Sequence, residues 1–430
     1  MTTWTSWSGL ASARPSQVLT PRSVAEVVDA VVAARHNRLP VKMVGSGHSF
    51  TAIAAPEGLM LRPDALSGII SMDREAMTVT ALAGTPLHIL NAGLETLGLS
   101  LHNLGDIAEQ TAAGAIATGT HGTGGRVASL SAQVVGLELV AADGSVVRAN
   151  ERENPDVLAV ARLGLGALGI LTTITFRVEP LFTLEAHEGP MSWEETLGSF
   201  HELAAENDHV EAYWFPHTDR ALVKRNNRTR DAAEPLPRWR SWLDDEFLSN
   251  TAFGWVNALG NTRPSLVPRL AAVSARALSE RTFSDVAHRV FTSPRRVVFK
   301  EMEYAVPREV GLDALREVRA LIERRGWPIS FPVEVRVTPA DNIALSTAAD
   351  RASMYLAFHA NQKTDHTAYF TDVERLLRTY DGRPHWGKLH TCDAADLAPA
   401  YPRWAEFQSV RDRLDPDRVF DNAYLRRVLG

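Results

Sequence analysis

The stretch from Gly105 to Gly125 limits what this chain can fold into more than any other. It reads Gly105-Asp106-Ile107-Ala108-Glu109-Gln110-Thr111-Ala112-Ala113-Gly114-Ala115-Ile116-Ala117-Thr118-Gly119-Thr120-His121-Gly122-Thr123-Gly124-Gly125. Small side chains at almost every position leave little to fill a core. Backbone must therefore pack closely against something. A tight helix–strand crossover would satisfy that need. So would a bed for a large, flat ligand, because Thr118 to Gly124 offers hydroxyls and N–H groups suited to phosphate.

Two more segments share this character. Val41-Lys42-Met43-Val44-Gly45-Ser46-Gly47-His48-Ser49-Phe50 is an apolar run that breaks into Gly-Ser-Gly and then histidine. Two glycines at that spacing allow a sharp turn that brings N–H groups up to an anion. The segment lacks the third glycine of the dinucleotide fingerprint and the Gly-Lys-Ser/Thr of a P-loop, so by itself a tight structural turn explains it equally well. Leu163-Gly164-Leu165-Gly166-Ala167-Leu168-Gly169-Ile170 precedes a strand-like run and is weak alone.

The remaining sequence narrows the class. A chain of 430 residues suits two or three domains at ~150 residues each. Net charge is −6 with no basic block, which speaks against nucleic acid as a partner. The single cysteine, Cys392, excludes a disulfide framework and a cysteine-built metal site. Fourteen histidines include no His-Glu-x-x-His, so no metal is expected. Gly-x-Ser-x-Gly is absent, which removes a serine hydrolase. The first residues lack a basic and an apolar region, and no apolar run approaches ~18 residues, so neither a secretory leader nor a transmembrane segment is expected and a cytoplasmic location is.

Helical spacing marks Ser23 to Arg38 and Pro86 to Leu97, and strands are expected at Leu39 to Val44, Gly58 to Leu61, Met77 to Ala81 and Ile170 to Val178. Asp143-Gly144 predicts a hairpin between Val134–Ala141 and Val146-Val147. Later, Val297 to Val306 and Val333 to Thr338 read as strands and Leu312 to Arg324 as a helix, while Arg228 to Arg240 reads as a polar, proline-broken surface loop. Glu334-Val335-Arg336 puts both charges on one face of its strand. Read alone, that pair could equally be a solvated ion pair.

Taken in order, these motifs resemble the flavoprotein family typified by vanillyl-alcohol oxidase, and within it the sugar-lactone and alditol oxidoreductases. The resemblance spans nearly the whole chain. It rests on Val44 to Phe50, Ala117 to Gly124, Leu168-Gly169-Ile170, Glu301-Met302-Glu303-Tyr304, His385-Trp386-Gly387-Lys388 and the tail from Leu414-Asp415-Pro416 to Phe420-Asp421-Asn422-Ala423-Tyr424-Leu425. It implies an α+β fold: an N-terminal α/β FAD-binding domain of the PCMH type (1–180), an α+β substrate cap (181–398) and a C-terminal segment (399–430) returning to the first.

The resemblance also implies roles. FAD would be held by Gly45, Ser46, Gly47, His48, Ser49, Asp106, Thr111, Gly114, Thr118, Gly119, His121, Gly122 and Ile170, with His48 bonded covalently to the flavin. The alternative for His48 is a buried, merely hydrogen-bonded imidazole. Glu334, Arg336 and Lys388 would be catalytic, with Lys388 taking the hydroxyl proton, and Asp106, Glu301, His359 and Asn361 would bind substrate. Alditol oxidases have serine where this chain has Asp106 and threonine where it has Asn361, while Asn103-Leu104-Gly105-Asp106 is similar to the bacterial gulonolactone dehydrogenases. A sugar-derived lactone of the L-gulono- or D-arabinono-1,4-lactone type is therefore expected as substrate, with O₂ or another electron acceptor reoxidising the flavin. An alditol oxidase producing H₂O₂ is the alternative. A non-catalytic flavin- or sugar-binding protein is the other reading, and it would need none of Glu334, Arg336 and Lys388.

Overall fold

The computed structural model describes residues 3–241, 253–293 and 296–430. Three short strands, β1 (Gln17–Leu19), β2 (Val41–Met43) and β3 (Leu59–Leu61), pair in parallel in the order β1-β3-β2. A parallel connection needs a crossover, and α1 (Val24–His36) supplies it. The Ser23 hydroxyl accepts the Glu26 N–H to start α1, and Val27, Ala30, Val31 and Ala34 form its buried stripe.

Five antiparallel strands follow: β4 (Ile69–Asp73), β5 (Thr78–Leu82), β6 (Val134–Val140), β7 (Val146–Asn150) and β8 (Ile170–Arg177), ordered β7-β6-β8-β5-β4. Among the described residues of this part, parallel pairing is confined to β1, β2 and β3. Tight reversals between β4 and β5 and at Asp143-Gly144 give antiparallel neighbours instead. Between β5 and β6 lie α2 (Leu87–Thr96) and α3 (Ala112–Ala117). Helix α3 is all that the small-residue stretch forms, and Ala112, Ala115 and Ile116 sink into the main core. The close approach read from composition is real: a Cβ on Gly122 would lie 2.2 Å from the Leu104 carbonyl oxygen.

The second sheet has eight antiparallel strands: β9 (Thr183–Ser192), β10 (His209–Trp214), β11 (Arg220–Thr229), β12 (Arg281–Val286), β13 (Phe299–Pro307), β14 (Val333–Thr338), β15 (Ser353–Asn361) and β16 (Arg383–Pro384). Their order is β12-β9-β11-β10-β14-β15-β13-β16. Helices α4 (Trp193–Glu206), α5 (Gly311–Arg325) and α6 (Thr367–Arg378) cover one face and share a core with it. Strand periodicity sorts the side chains. Val210, Ala212 and Trp214, Val333, Val335 and Val337, and Met302, Tyr304 and Val306 join that core. The residues between them, Glu211 and Tyr213, Glu334 and Arg336, Glu301 and Glu303, take the opposite face.

The surface loop expected over Arg228 to Arg240 begins later than the sequence suggests, because β11 runs to Thr229 and a helical turn occupies Arg238–Ser241. Arg228 holds the strand end: its guanidinium pairs with Glu179 and lies 4.0 Å from the Phe182 ring centroid. Finally, α7 (Trp404–Leu414) and α8 (Ala423–Leu429) pack into the core of the first sheets. Asn422 caps α8 and donates its side-chain amide to the carbonyls of Ala52, Ile53 and Ala55. Among the described residues, no helix is long and apolar enough to cross a membrane.

Candidate active site

Strand β2 ends in the glycine loop. A Cβ on Gly45 would stand 2.5 Å from Thr111 Oγ1, so loop and α3 touch where a side chain cannot fit. Gly47 turns the loop at φ +69° and its carbonyl accepts the Trp7 N–H at 2.9 Å. Ser46 Oγ donates to the Glu109 carbonyl. Among the described residues, the backbone N–H groups of Gly45, Ser46, Gly47, His48 and Ser49 have no protein partner. Unpaired N–H groups in a row along a turn are what an anion neutralises. The groove beside them is walled by the loop, by Thr111, Gly114 and Thr118 of the second small-residue stretch, and by Gly166, Gly169 and Ile170 of the third. Three segments far apart in sequence thus make one narrow, small-sided groove. It fits the diphosphate and flat ring of FAD.

His48 stands where that groove meets a second cavity, and lines both. Its ring stacks on Trp7, with centroids 5.5 Å apart and planes at 24°. Burial lowers its pKa, so the imidazole is neutral, and its Nδ1 is buried without a partner. Ser49 and Thr118 also line both spaces.

The second cavity is where the polar face of the large sheet opens. Its volume of about 190 Å³ far exceeds the ~10–15 Å³ that admits one water. Lys388 Nζ donates to Glu301 Oε2 and sits 5.0 Å from the Phe50 ring centroid. Burial pushes the Glu301 carboxyl up, but Lys388 and then His359, 3.6 Å away, outweigh it and hold it below its usual range. Arg336 spans three carboxylates: Nη2 lies 2.9 Å from Asp106 and in contact with Glu334, and Nε lies 3.1 Å from Glu211. Burial raises the Glu334 pKa against the pull of Arg336, and Asp106 and Glu211 add to the rise. Glu334 Oε1 is buried and has no aligned hydrogen bond.

Several expected residues lie elsewhere. Asp106 and His121 line the charged cavity and not the glycine groove. His121 Nε2 is 3.2 Å from Glu303, and its ring lies 3.8 Å from that of Tyr355. Gly119 (φ +79°) turns the chain after α3 against Leu163, and Gly122 is pressed against Asn103 and Leu104; neither lines groove or cavity. Asn361 ends β15 and spends its side-chain oxygen on the Lys363 N–H. An Asx turn at a strand end accounts for that oxygen.

Other wall residues were not singled out by the motifs. Tyr213, opposite Glu334 on β10, turns a buried, unpartnered hydroxyl to the cavity. Burial, then Asp106, Glu211 and Glu334, keep that phenol protonated. The signal for it was the alternation Val210-Glu211-Ala212-Tyr213-Trp214. Trp7, Phe299 and Phe331 complete an aromatic wall. His121, Glu303 and His385 bring one donor atom each within 4.8 Å of one another. Their protein partners account for them, since His121 pairs with Glu303 and His385 Nδ1 accepts the Gly387 N–H at 3.1 Å.

Burial also sets an acid limit on the fold. His385 is lowered to about 4 and His390, bonded to the Tyr424 hydroxyl, to about 3, the latter by burial and by Arg427. Unfolded, both titrate near 6.5, so between about pH 6.5 and 4 the unfolded chain binds more protons and stability falls as pH falls. His390→Gln should lose less of its thermal midpoint than the unaltered protein between pH 6.5 and 4.5. Equal losses would show that this imidazole plays no part.

Comparison with known proteins agrees with this geometry. Residues 174–428 match the family model described as D-arabinono-1,4-lactone oxidase, and residues 15–150 match that of the FAD binding domain. The chain is 42% identical over 427 residues to L-gulono-1,4-lactone dehydrogenase of Mycobacterium tuberculosis, covering 99% of each. It is 31% identical over 429 residues to L-gulonolactone oxidase of Bos taurus, covering 98% of this chain and 97% of that one. Cholesterol oxidase from B. sterolicum superimposes with a TM-score of 0.80 at 18% identity over 100% of this chain and 96% of that one, a likeness of fold alone. With FAD as its cofactor, the chain belongs to the D-arabinono-1,4-lactone oxidase family.

Proposed function

We propose that this chain oxidises a hydroxyl of a sugar-derived 1,4-lactone, using FAD tethered through His48. One observation carries the reading: His48, with its orphaned Nδ1, opens on the same cavity as Glu334, Arg336, Glu301 and Lys388. When bound, FAD supplies the acceptor for the hydride that leaves the substrate carbon. O₂ or another electron acceptor then restores it.

The protein's part is to bind, orient and deprotonate. Arg336 and Lys388 hold substrate oxygens and stabilise negative charge that develops on them. Lys388 Nζ is a donor to Glu301, so the proton acceptor is assigned to Glu334 and not to Lys388 as the motifs alone suggest. A carboxylate whose pKa is raised is a better base near neutral pH, and Arg336, in contact with Oε1, holds it in place. Tyr213 donates to a ring or hydroxyl oxygen. Trp7, Phe50 and Phe299 exclude water from the reacting side.

Tyr213→Phe should raise KM about 10-fold with kcat and flavin content unchanged, the loss of one hydrogen bond of roughly 1.4 kcal/mol. An unchanged KM would remove the hydroxyl from the substrate. The reading also divides the chain into a cofactor part (1–180 with 399–430) and a substrate part (181–398); a core drawn from Trp193 to Leu377 supports the second, while Ile343, Ala344, Leu345, Trp386, Cys392 and Leu397 pack into the core of the first. The deciding experiment is anaerobic bleaching of the bound flavin against lactones and alditols, followed by air. Bleaching by 1,4-lactones is expected, and the speed of recolouring in air distinguishes oxidase from dehydrogenase. Bleaching by open-chain polyols with lactones inert would overturn the substrate.

A further inference from the structure

Five charged side chains form one row across five neighbouring strands. Arg281 on β12 faces Glu188 on β9, Glu188 faces Lys224 on β11, and Lys224 faces Glu211 on β10. The β10–β14 register, in which Ala212 faces Val335, brings Arg336 next. The signs alternate along the row. Arg281 Nε is 2.7 Å from Glu188, Lys224 Nζ is 3.9 Å from Glu188 and 3.5 Å from Glu211, and Arg336 Nε is 3.1 Å from Glu211. Directly opposed side chains on a sheet interact pairwise, so each inner charge of the row is shared between the neighbours on its two sides.

The row ends at the site. Arg336 turns Nε to Glu211 and Nη2 to Glu334 and Asp106, so the carboxylates on its two sides compete for one guanidinium. Lys224 shares Glu211 from behind. Whatever strengthens Glu211 draws Arg336 away from Glu334, and whatever weakens it gives Arg336 back.

We propose that Glu211 and Lys224 are positioning residues that act through Arg336 to set the protonation of Glu334, in opposite directions. This rests on the assignment of Glu334 as proton acceptor. The groups that face Glu334 are Arg336 on its own strand, Glu211 and Tyr213 on β10, His359 on β15 and Asp106 from the loop before α3. Of these, Lys224 pairs with Glu211 at 3.5 Å and lies 5.1 Å from the Tyr213 ring centroid, and Glu211 is the one whose charge it shares. Removing the Glu211 charge takes away a repulsion and frees Arg336, which favours the Glu334 carboxylate. Removing the Lys224 charge leaves Glu211 to Arg336 alone, which draws the guanidinium from Glu334 and favours the protonated acid.

The test uses the full FAD-loaded chain. The infrared carbonyl stretch of protonated Glu334, identified by its loss in Glu334→Gln, is titrated alongside the pH dependence of the flavin reduction rate. In Glu211→Gln both midpoints should fall by about one pH unit, and in Lys224→Met both should rise by roughly half a unit. Lys224→Arg should restore the unaltered midpoint. A merely structural role would lower activity without moving the midpoints apart. Shifts in the same direction, or none, while Glu334→Gln abolishes the acid limb, would overturn the row's role. An acid limb that survives in Glu334→Gln would instead overturn the assignment of Glu334 itself.

Discussion

In His48→Ala, acid precipitation should leave a white pellet and a yellow supernatant, whereas the unaltered protein should keep its colour in the pellet. The expectation follows from position and protonation together. The imidazole is neutral because burial disfavours its charged form, and a neutral ring nitrogen is a nucleophile near pH 7. Nδ1 has no protein partner to occupy its lone pair or proton. Trp7 fixes the ring plane, and the Phe50 N–H, donated to the Gly387 carbonyl at 2.7 Å, fixes the loop to the Lys388 segment. The glycine groove does not depend on this side chain, so the variant should still bind FAD noncovalently. A yellow pellet from His48→Ala would overturn the tether.

Arg336→Ala and Lys388→Met should each slow anaerobic flavin reduction by at least ~10²-fold, the effect of removing one donor aimed at developing charge, or about 2.7 kcal/mol. Each removal also strands a buried carboxylate, which is costly to the fold on its own account. Two further variants separate the effects. Lys388→Met combined with Glu301→Gln leaves no unpaired charge and should recover stability without recovering rate. Arg336→Lys keeps the charge but loses the planar fork that reaches Glu211, Glu334 and Asp106 together, so it should also remain slow. Unaltered reduction rates in Arg336→Ala and Lys388→Met would remove both residues from the reaction.

Much of the site was legible because its signals are local. Period-two alternation marked Glu334 and Arg336, and glycine clustering marked the groove. What was not legible is pairing. Nothing near residue 211 announces that Glu211 will lie beside Arg336, because that neighbourhood is made by sheet register across 125 positions. Tyr213 shares that fate. Gly122 and Asn361 show the converse: each carries a local reason to exist, close packing or an Asx turn, that a motif cannot distinguish from a ligand contact. The hairpin at Asp143-Gly144 was legible because its turn chemistry is local.

The bonds from Asn422 to Ala52, Ile53 and Ala55 have a consequence in time. They span up to 370 residues and fasten the segment that follows the His48 loop. Tyr424 adds another by donating to the Trp386 carbonyl, beside Gly387 and Lys388. At translation rates of ~5–20 residues per second, Asn422 follows His48 out of the ribosome by about 20–75 seconds. Through that interval the histidine is exposed on a loop whose fastening has not yet been made. The proposed attachment of flavin to His48 is therefore expected only once the chain has reached residue 422.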